Sequence, residues 1–416
     1  MSRKLWSVLF FFAGRAFAAG PEPYTLEGSL RLAQRNDAEL QSAEQDITIA
    51  RQRVREAFFL FYPEVGLQAT ATRYEARRPF ALRPGFGSSL LFPSDKDHLY
   101  SGQAYLNLSL YEGRRHINTL RLAQTLLKQA QSKYDAVRLD IGYNTKRVFY
   151  RFILAKKILE AAEEFSAKFK SHDVSRLSAA ERIEAESAAA ELRAALSEAH
   201  HTLELARLDF LKGLNRELDT SAELSGNLQT TPVEVDIKKA LLWATELRPE
   251  LQSQTYRSQM DAISVNLALG RRNPTLILGV DYDVTGQDFP LRQNNWDATV
   301  GLKIPFAFDY WTQHTQRLAE QRQGEIIRSE LHDRVQLEVR KAHNDLTYWQ
   351  GEYPQREREY HALERSLTAI SPNSPGALRS AVRVLHAHRL YLEAVTEHVL
   401  ARSRLERAMA HPLPER

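Results

Sequence analysis

Cysteine is absent from the 416 residues, which excludes thiol nucleophiles, disulfides and thiolate metal sites. Long apolar runs are missing as well. Past residue 20 no stretch reaches the roughly 18 apolar residues that a membrane-spanning helix needs. The mean hydropathy of -0.44 and 26% charged residues agree with that. Charge of one sign is scarce: 56 Lys and Arg stand against 52 Asp and Glu, leaving +4. Over such a length this is too little to draw in nucleic acid, and no zinc-finger, RNP or basic-zipper pattern occurs. No P-loop, G-x-S-x-G, HExxH or GxGxxG stretch is present either. The chain therefore shows no catalytic constellation, and no enzyme activity or cofactor is expected of it.

What is present begins at the first residues. "MSRKLWSVLFFFAGRAFAAG" has a basic start at Arg3 and Lys4, an apolar run over residues 5–13, and a small-x-small site at Ala16, Phe17 and Ala18. Residues 1–18 are expected to be a secretory signal. With no cysteine after the cleavage site, a lipid-anchored precursor is not expected, and export to a bacterial periplasm or outer membrane is the expected destination.

The chain then repeats itself. Residues 40–75 and 251–286 align without gaps. Leu40, Gln41 and Ser42 match Leu251, Gln252 and Ser253, and Val54, Ala57, Pro63 and Leu67 match Val265, Ala268, Pro274 and Leu278. Each segment reads as a helix that ends at a proline and passes into a strand, because proline disfavours helix at the residue before it. Each first strand is followed by a loop and a second strand. Residues 76–100 form the longer, Pro- and Gly-rich loop. Long helical stretches follow, over about residues 114–170 and 312–369, each turning back into a second long helix. At about 1.5 Å per residue, the first of them would be of order 80 Å long. The division expected is residues 1–18 signal, 19–212 first repeat, 213–235 linker and 236–416 second repeat. A period of about 200 residues indicates internal duplication rather than a solenoid.

The four strands alternate. In "TLILGVDYDVTG", Leu276, Leu278, Val280, Tyr282 and Val284 share one face, and Asp281 and Asp283 lie on the other. In the strand before the first long helix, Leu106, Leu108 and Leu110 oppose Tyr105, Asn107 and Ser109. In the last strand, Ala298, Val300, Leu302 and Ile304 oppose Asp297, Thr299, Gly301 and Lys303. Four strands with one apolar and one polar face cannot close a barrel alone, and lipid tolerates no open edge. Several copies contributing four strands each would close one, with its polar face inward; three copies would give twelve strands. A small soluble four-stranded sandwich is the other reading of the same alternation. The long helices carry Ala-rich stripes at helical spacing: Leu120, Ala123, Leu127, Ala130, Tyr134 and Val137, then Ala185, Ala189, Leu192, Leu196, Ala199 and Leu203. Such stripes suit coiled-coil-like packing.

These motifs, in this order, resemble the TolC-like outer membrane efflux proteins. "YTLEGSLRLAQRNDAELQSAEQDITIARQRVREAFFLFYPEVGL" resembles the family's N-terminal segment, with Asp37 where the family usually has proline. "LNLSLYEGRRHINTLRLAQ" resembles its strand-to-helix element, with Gly113, Arg114 and Arg115 in place. "LRPEL" resembles the start of its second repeat, and "VSRLSAAERIEAES" and "VRVLHAHRLYLEA" resemble its hairpin-tip segments. The resemblance implies a mainly α chain with a membrane β-barrel portion. A homotrimer would share a twelve-stranded barrel in outer-membrane lipid above an α-helical periplasmic tunnel. The implied partners are a periplasmic adaptor and an inner-membrane pump, and the implied function is a passive duct for efflux or type I secretion. A periplasmic scaffold of long helices without a pore is the alternative from another class.

The resemblance also implies where function would sit. The tunnel would narrow at the hairpin tips, so Ser178, Arg379, Arg383, His386 and Arg389 are the candidate gate, basic rather than acidic, which would suit anionic cargo. Asp173, Ser175, Arg176, Ser374 and Gly376 are the candidate adaptor contacts. Asp281, Asp283, Asp297 and Lys303 are the candidate barrel lumen. Tyr74, Tyr105, Tyr111, Trp296, Phe306 and Phe308 are candidates for an interfacial aromatic belt. No metal site is expected: His386 and His388, two apart on a helix, diverge by about 200°.

Overall fold

The structure is a computed structural model, and it describes residues 23–73, 98–169, 178–228, 230–306, 309–370 and 376–414. The signal segment, most of the loop at residues 76–100, and Tyr74, Phe308, Asp173, Ser175, Arg176 and Ser374 lie outside the described residues.

Helix α1 (Leu26–Asn36) leads into α2 (Ala38–Phe59), β1 (Glu64–Arg73), β2 (His98–Glu112), α3 (Arg115–Phe169) and α4 (Ala179–Gly213). The same order then recurs as α5 (Ile237–Leu247), α6 (Pro249–Gly270), β3 (Thr275–Gly286), β4 (Gln293–Lys303), α7 (Tyr310–Thr368) and α8 (Ala377–Met409). No described helix is long and apolar enough to cross a membrane.

The short helix pairs are separated by local chemistry. Asp37 ends α1 by donating its N–H to the Ala33 carbonyl, and its Oδ1 accepts from Glu39 N at 2.9 Å and Leu40 N at 3.0 Å. It is thus the N-cap of α2. In the second half Pro249 occupies the first turn of α6, where its fixed φ suits a helix start. The departure from proline at position 37 therefore keeps the break between helices and changes only the means.

The chain forms two compact units. One holds residues 42–137 and 244–337, with all four strands; the other holds residues 1–41, 138–243 and 338–416. In the first, the strands form one antiparallel sheet in the order β1-β2-β3-β4, so β1 and β4 are edge strands without a further strand partner among the described residues. In the second, α3, α4, α7 and α8 pack through Leu159, Ala162, Phe165, Ala185, Ala188, Leu192, Ala381 and Val384. Alanine at these seams lets helix axes approach closely. Tyr24 is held in this unit by backbone bonds with Glu223 and Ser225 (2.7 and 3.0 Å) and by the edge of Phe210. The segment between the two halves of the chain is fixed there too: His343 Nε2 lies 3.0 Å from the Val235 carbonyl.

Candidate functional site

Within the strand-bearing unit, register decides which residues share a face. Asp281 of β3 lies between Tyr105 of β2 and Asp297 of β4, and Asp283 lies between Gln103 and Asn295. The next rows on this face are Asn107–Gly279–Thr299 and Ser101–Thr285–Gln293. The row at the helix end of the sheet is Glu112–Thr275–Lys303. All four predicted lumen residues therefore lie on one polar face, which β1 extends with Gln68 and Thr70. Their charge is partly answered locally. Gln103 Nε2 donates to Asp281 Oδ1 at 3.1 Å, and Thr299 Oγ1 donates to Asp297 Oδ2 at 3.2 Å.

The opposite face carries Val65–Leu106–Val280–Ala298 and Leu67–Ala104–Tyr282–Trp296. Leu67 is 87% exposed and Trp296 75%, so this apolar surface is uncovered in the single chain. Two expectations are corrected here. Leu110 does not continue the alternation of Leu106 and Leu108. The register slips between Ser109 and Tyr111, so Tyr111 pairs with Leu276 and joins the apolar side. Tyr105, expected in an aromatic belt, takes a register position on the polar face. Its ring lies over Gly66, where a Cβ would run into it, and its hydroxyl donates to Glu64 at 3.4 Å.

In the other unit the predicted gate residues sit on α4 and α8. Ser178 is the N-cap of α4 in a capping box. Glu181 Oε2 accepts from Ser178 N at 2.9 Å and from its hydroxyl at 2.7 Å. These bonds hold the Glu181 carboxyl below its ordinary range. Ser178 thus has a structural task in this chain. Gly376 precedes α8 with φ 85°, a left-handed backbone that favours glycine.

The arginines are not free cations. Arg379 Nη1 meets Glu184 at 2.8 Å, and Arg389 bonds Glu198 at 3.1 Å and Glu393 at 2.9 Å. The reading of a basic tip is therefore narrowed to Arg383 and His386, which are exposed and have no ion-pair partner among the described residues. The glutamates that answer these arginines have a signal in the sequence: α4 carries Glu184, Glu191 and Glu198 while α8 carries Arg379, Arg383 and Arg389, two return helices of opposite sign. A groove of about 160 Å³ between α3, α4 and α8 is floored by Ile158, Ala195 and Leu385 and rimmed by Glu198, His386 and Arg389.

Deeper on α8, the His388 ring stacks on Tyr360 at 4.3 Å between centroids. The fully buried His398 lies 4.9 Å from the Tyr353 ring, with no hydrogen-bond partner for either nitrogen among the described residues. Burial pushes both imidazoles below the ordinary histidine range. Among the described residues no group of three or more His, Cys, Asp or Glu could hold a metal ion.

A family profile described as outer membrane efflux protein matches residues 29–169. No curated protein matches the chain. Among solved structures it is similar to a membrane protein from Pseudomonas aeruginosa, with TM-score 0.78 and 14% identity, covering 93% of this chain and 90% of that one. It is similar to the Campylobacter jejuni CmeC outer membrane channel (TM-score 0.75, 14% identity, 93% and 86% covered). It is also similar to the Neisseria gonorrhoeae MtrE outer membrane channel in its open state (0.76, 14%, 93% and 89%). At such identities these likenesses show a shared fold.

Proposed function

From the outer membrane efflux domain that this chain carries and the channel fold it shares, we propose that it is one subunit of a passive export duct, complete only as a homotrimer. The family belongs to the bacterial outer membrane and is one of efflux proteins, not enzymes. One observation carries the shared barrel. The sheet has one mostly polar face, one apolar face and, among the described residues, two unpaired edge strands, β1 and β4. A single copy exposes the unpaired edges, which lipid does not tolerate, and the greasy face, which water does not. Pairing β4 of one copy with β1 of the next removes the edges, turns the polar face with Asp281, Asp283, Asp297 and Lys303 to a lumen, and gives the apolar face to lipid.

A periplasmic adaptor would dock at the helical turns beside Ser178 and Gly376, and an inner-membrane pump would load the duct. Arg383 and His386 are the proposed charge at the narrow end. The mature protein, extracted from membranes in detergent, is expected to have the mass of three copies and to conduct ions in a planar bilayer. A detergent-independent monomer without conductance would refute the channel and leave a scaffold of long helices.

A further inference from the structure

All four helix–strand junctions lie at one end of the sheet, because β1 and β3 begin where β2 and β4 end. Contacts link them in sequence. Phe61 at the α2–β1 junction lies 5.6 Å from the His116 ring at the start of α3. The β2–α3 and α6–β3 junctions interlock: Asn273 Nδ2 donates to the Gly113 carbonyl at 3.3 Å. A Cβ on Gly113 would sit 2.8 Å from the Gly270 carbonyl oxygen, so this approach requires glycine. At the α6–β3 and β4–α7 junctions, Arg271 reaches Asp309 at 3.6 Å and Arg272 lies 5.8 Å from the Tyr310 ring centroid.

The interlock crowds four exposed arginines, Arg114, Arg115, Arg271 and Arg272, into one place. Gly113 and Arg114 both take left-handed backbone there, with φ 59° and 66°. Among the described residues carboxylates answer half of this charge: Glu112 lies 3.8 Å from Arg115 and Asp309 3.6 Å from Arg271. Arg272 rests on an aromatic face, and Arg114 has no carboxylate partner among the described residues. In a chain whose charges nearly balance, four cations gathered at one spot call for an anion.

Directly beside the arginines begins the apolar face, with the row Tyr111–Leu276–Leu302. Phe306 (85% exposed) and Trp311 (67%) flank it, and Phe58, Phe59 and Tyr62 form an edge-packed, exposed cluster on the α2–β1 side. An arginine patch bordering exposed apolar and aromatic surface fits a ligand that is anionic at its head and hydrocarbon below. Free phosphate would match only the first half.

We propose that this collar binds the phosphate headgroups of anionic phospholipids at the periplasmic leaflet. The arginines engage the phosphates through charge-assisted bonds, and the aromatic side chains lie at the headgroup level. This rests on the barrel reading given above.

The test uses the detergent-extracted mature protein with added phosphatidylglycerol, phosphatidylcholine or inorganic phosphate, and reads melting temperature and lipid retained in native mass spectrometry. Phosphatidylglycerol is expected to raise the melting temperature and to remain bound, while the other two do neither. The Arg114→Gln/Arg272→Gln variant is expected to lose most of that shift and the retained lipid while keeping trimer mass and conductance. Equal effects of phosphatidylcholine or inorganic phosphate, or an unchanged shift in the variant, would overturn the collar and leave the channel standing. A wild-type chain that forms no trimer would overturn both.

Discussion

Single side chains in this protein stand in for residues that a different sequence would use. Asp37 caps α2 through two backbone N–H groups that would otherwise lack partners. Asp37→Ala is expected to lower the unfolding free energy by about 1 kcal/mol, the usual cost of losing an N-cap, measured by denaturant titration of the full detergent-extracted protein. Asp37→Ser should recover most of it, and an Ala variant as stable as wild type would show that the break between α1 and α2 needs no cap. Ser178 combines a candidate gate position with a capping role. Its hydroxyl and backbone N–H are both committed to Glu181. Asp37 and Gly113 were visible in the sequence as motif positions. The interlock of Gly113 with Asn273 and Gly270 was not, because those residues are about 160 apart along the chain and meet only once the sheet has formed.

Among the elements, α8 carries the unusual chemistry. His398 is 1% exposed, with Tyr353 of α7 against its ring and Arg402 one turn further along α8. Both burial and Arg402 disfavour its cation. His388 lies against Tyr360 and Tyr391, with Glu364 and Glu164 opposing the effect of burial and His361 and Lys157 adding to it. In each case the folded imidazole binds its proton less readily than the unfolded one. Stability is therefore complete above the unfolded histidine pKa of about 6.5 and is lost as pH falls below it. The melting temperature is expected to drop between pH 7 and 5. The His388→Phe/His398→Phe variant should flatten that drop, and an equal drop in the variant would assign it to other groups. The carboxylates held low, Glu181 and Glu364 among them, act at lower pH and do not confuse this window.

At the scale of the whole molecule, the proposed duct would present different charge in different places. The polar sheet face carries three aspartates, Glu64, Glu112 and Lys303. Arg379 and Arg389 are offset by α4 glutamates in exposed pairs, which contribute little stability and mainly cancel charge. If the aspartates of the proposed lumen set ion preference, Asp281→Asn/Asp297→Asn should lower the cation preference of the conductance, read as a reversal-potential shift in a salt gradient. Arg383→Asp/His386→Asp should raise it if those side chains line the narrow end. An unchanged reversal potential in both variants would place selectivity elsewhere.

The sequence by itself determined the period-2 strands, the Ala-striped helices, their order and their duplication. These patterns repeat within a few residues and are set by local backbone geometry and by which side chains avoid water. The tertiary structure alone decided that β2 pairs with β3 across the two halves, setting Asp281 beside Tyr105 and Asp297. It alone set Glu184 and Glu198 against the arginines of α8, and gathered Arg114, Arg115, Arg271 and Arg272 at one junction. Those are contacts between residues far apart in the chain. Their partners follow from register and helix packing, which no local stretch encodes.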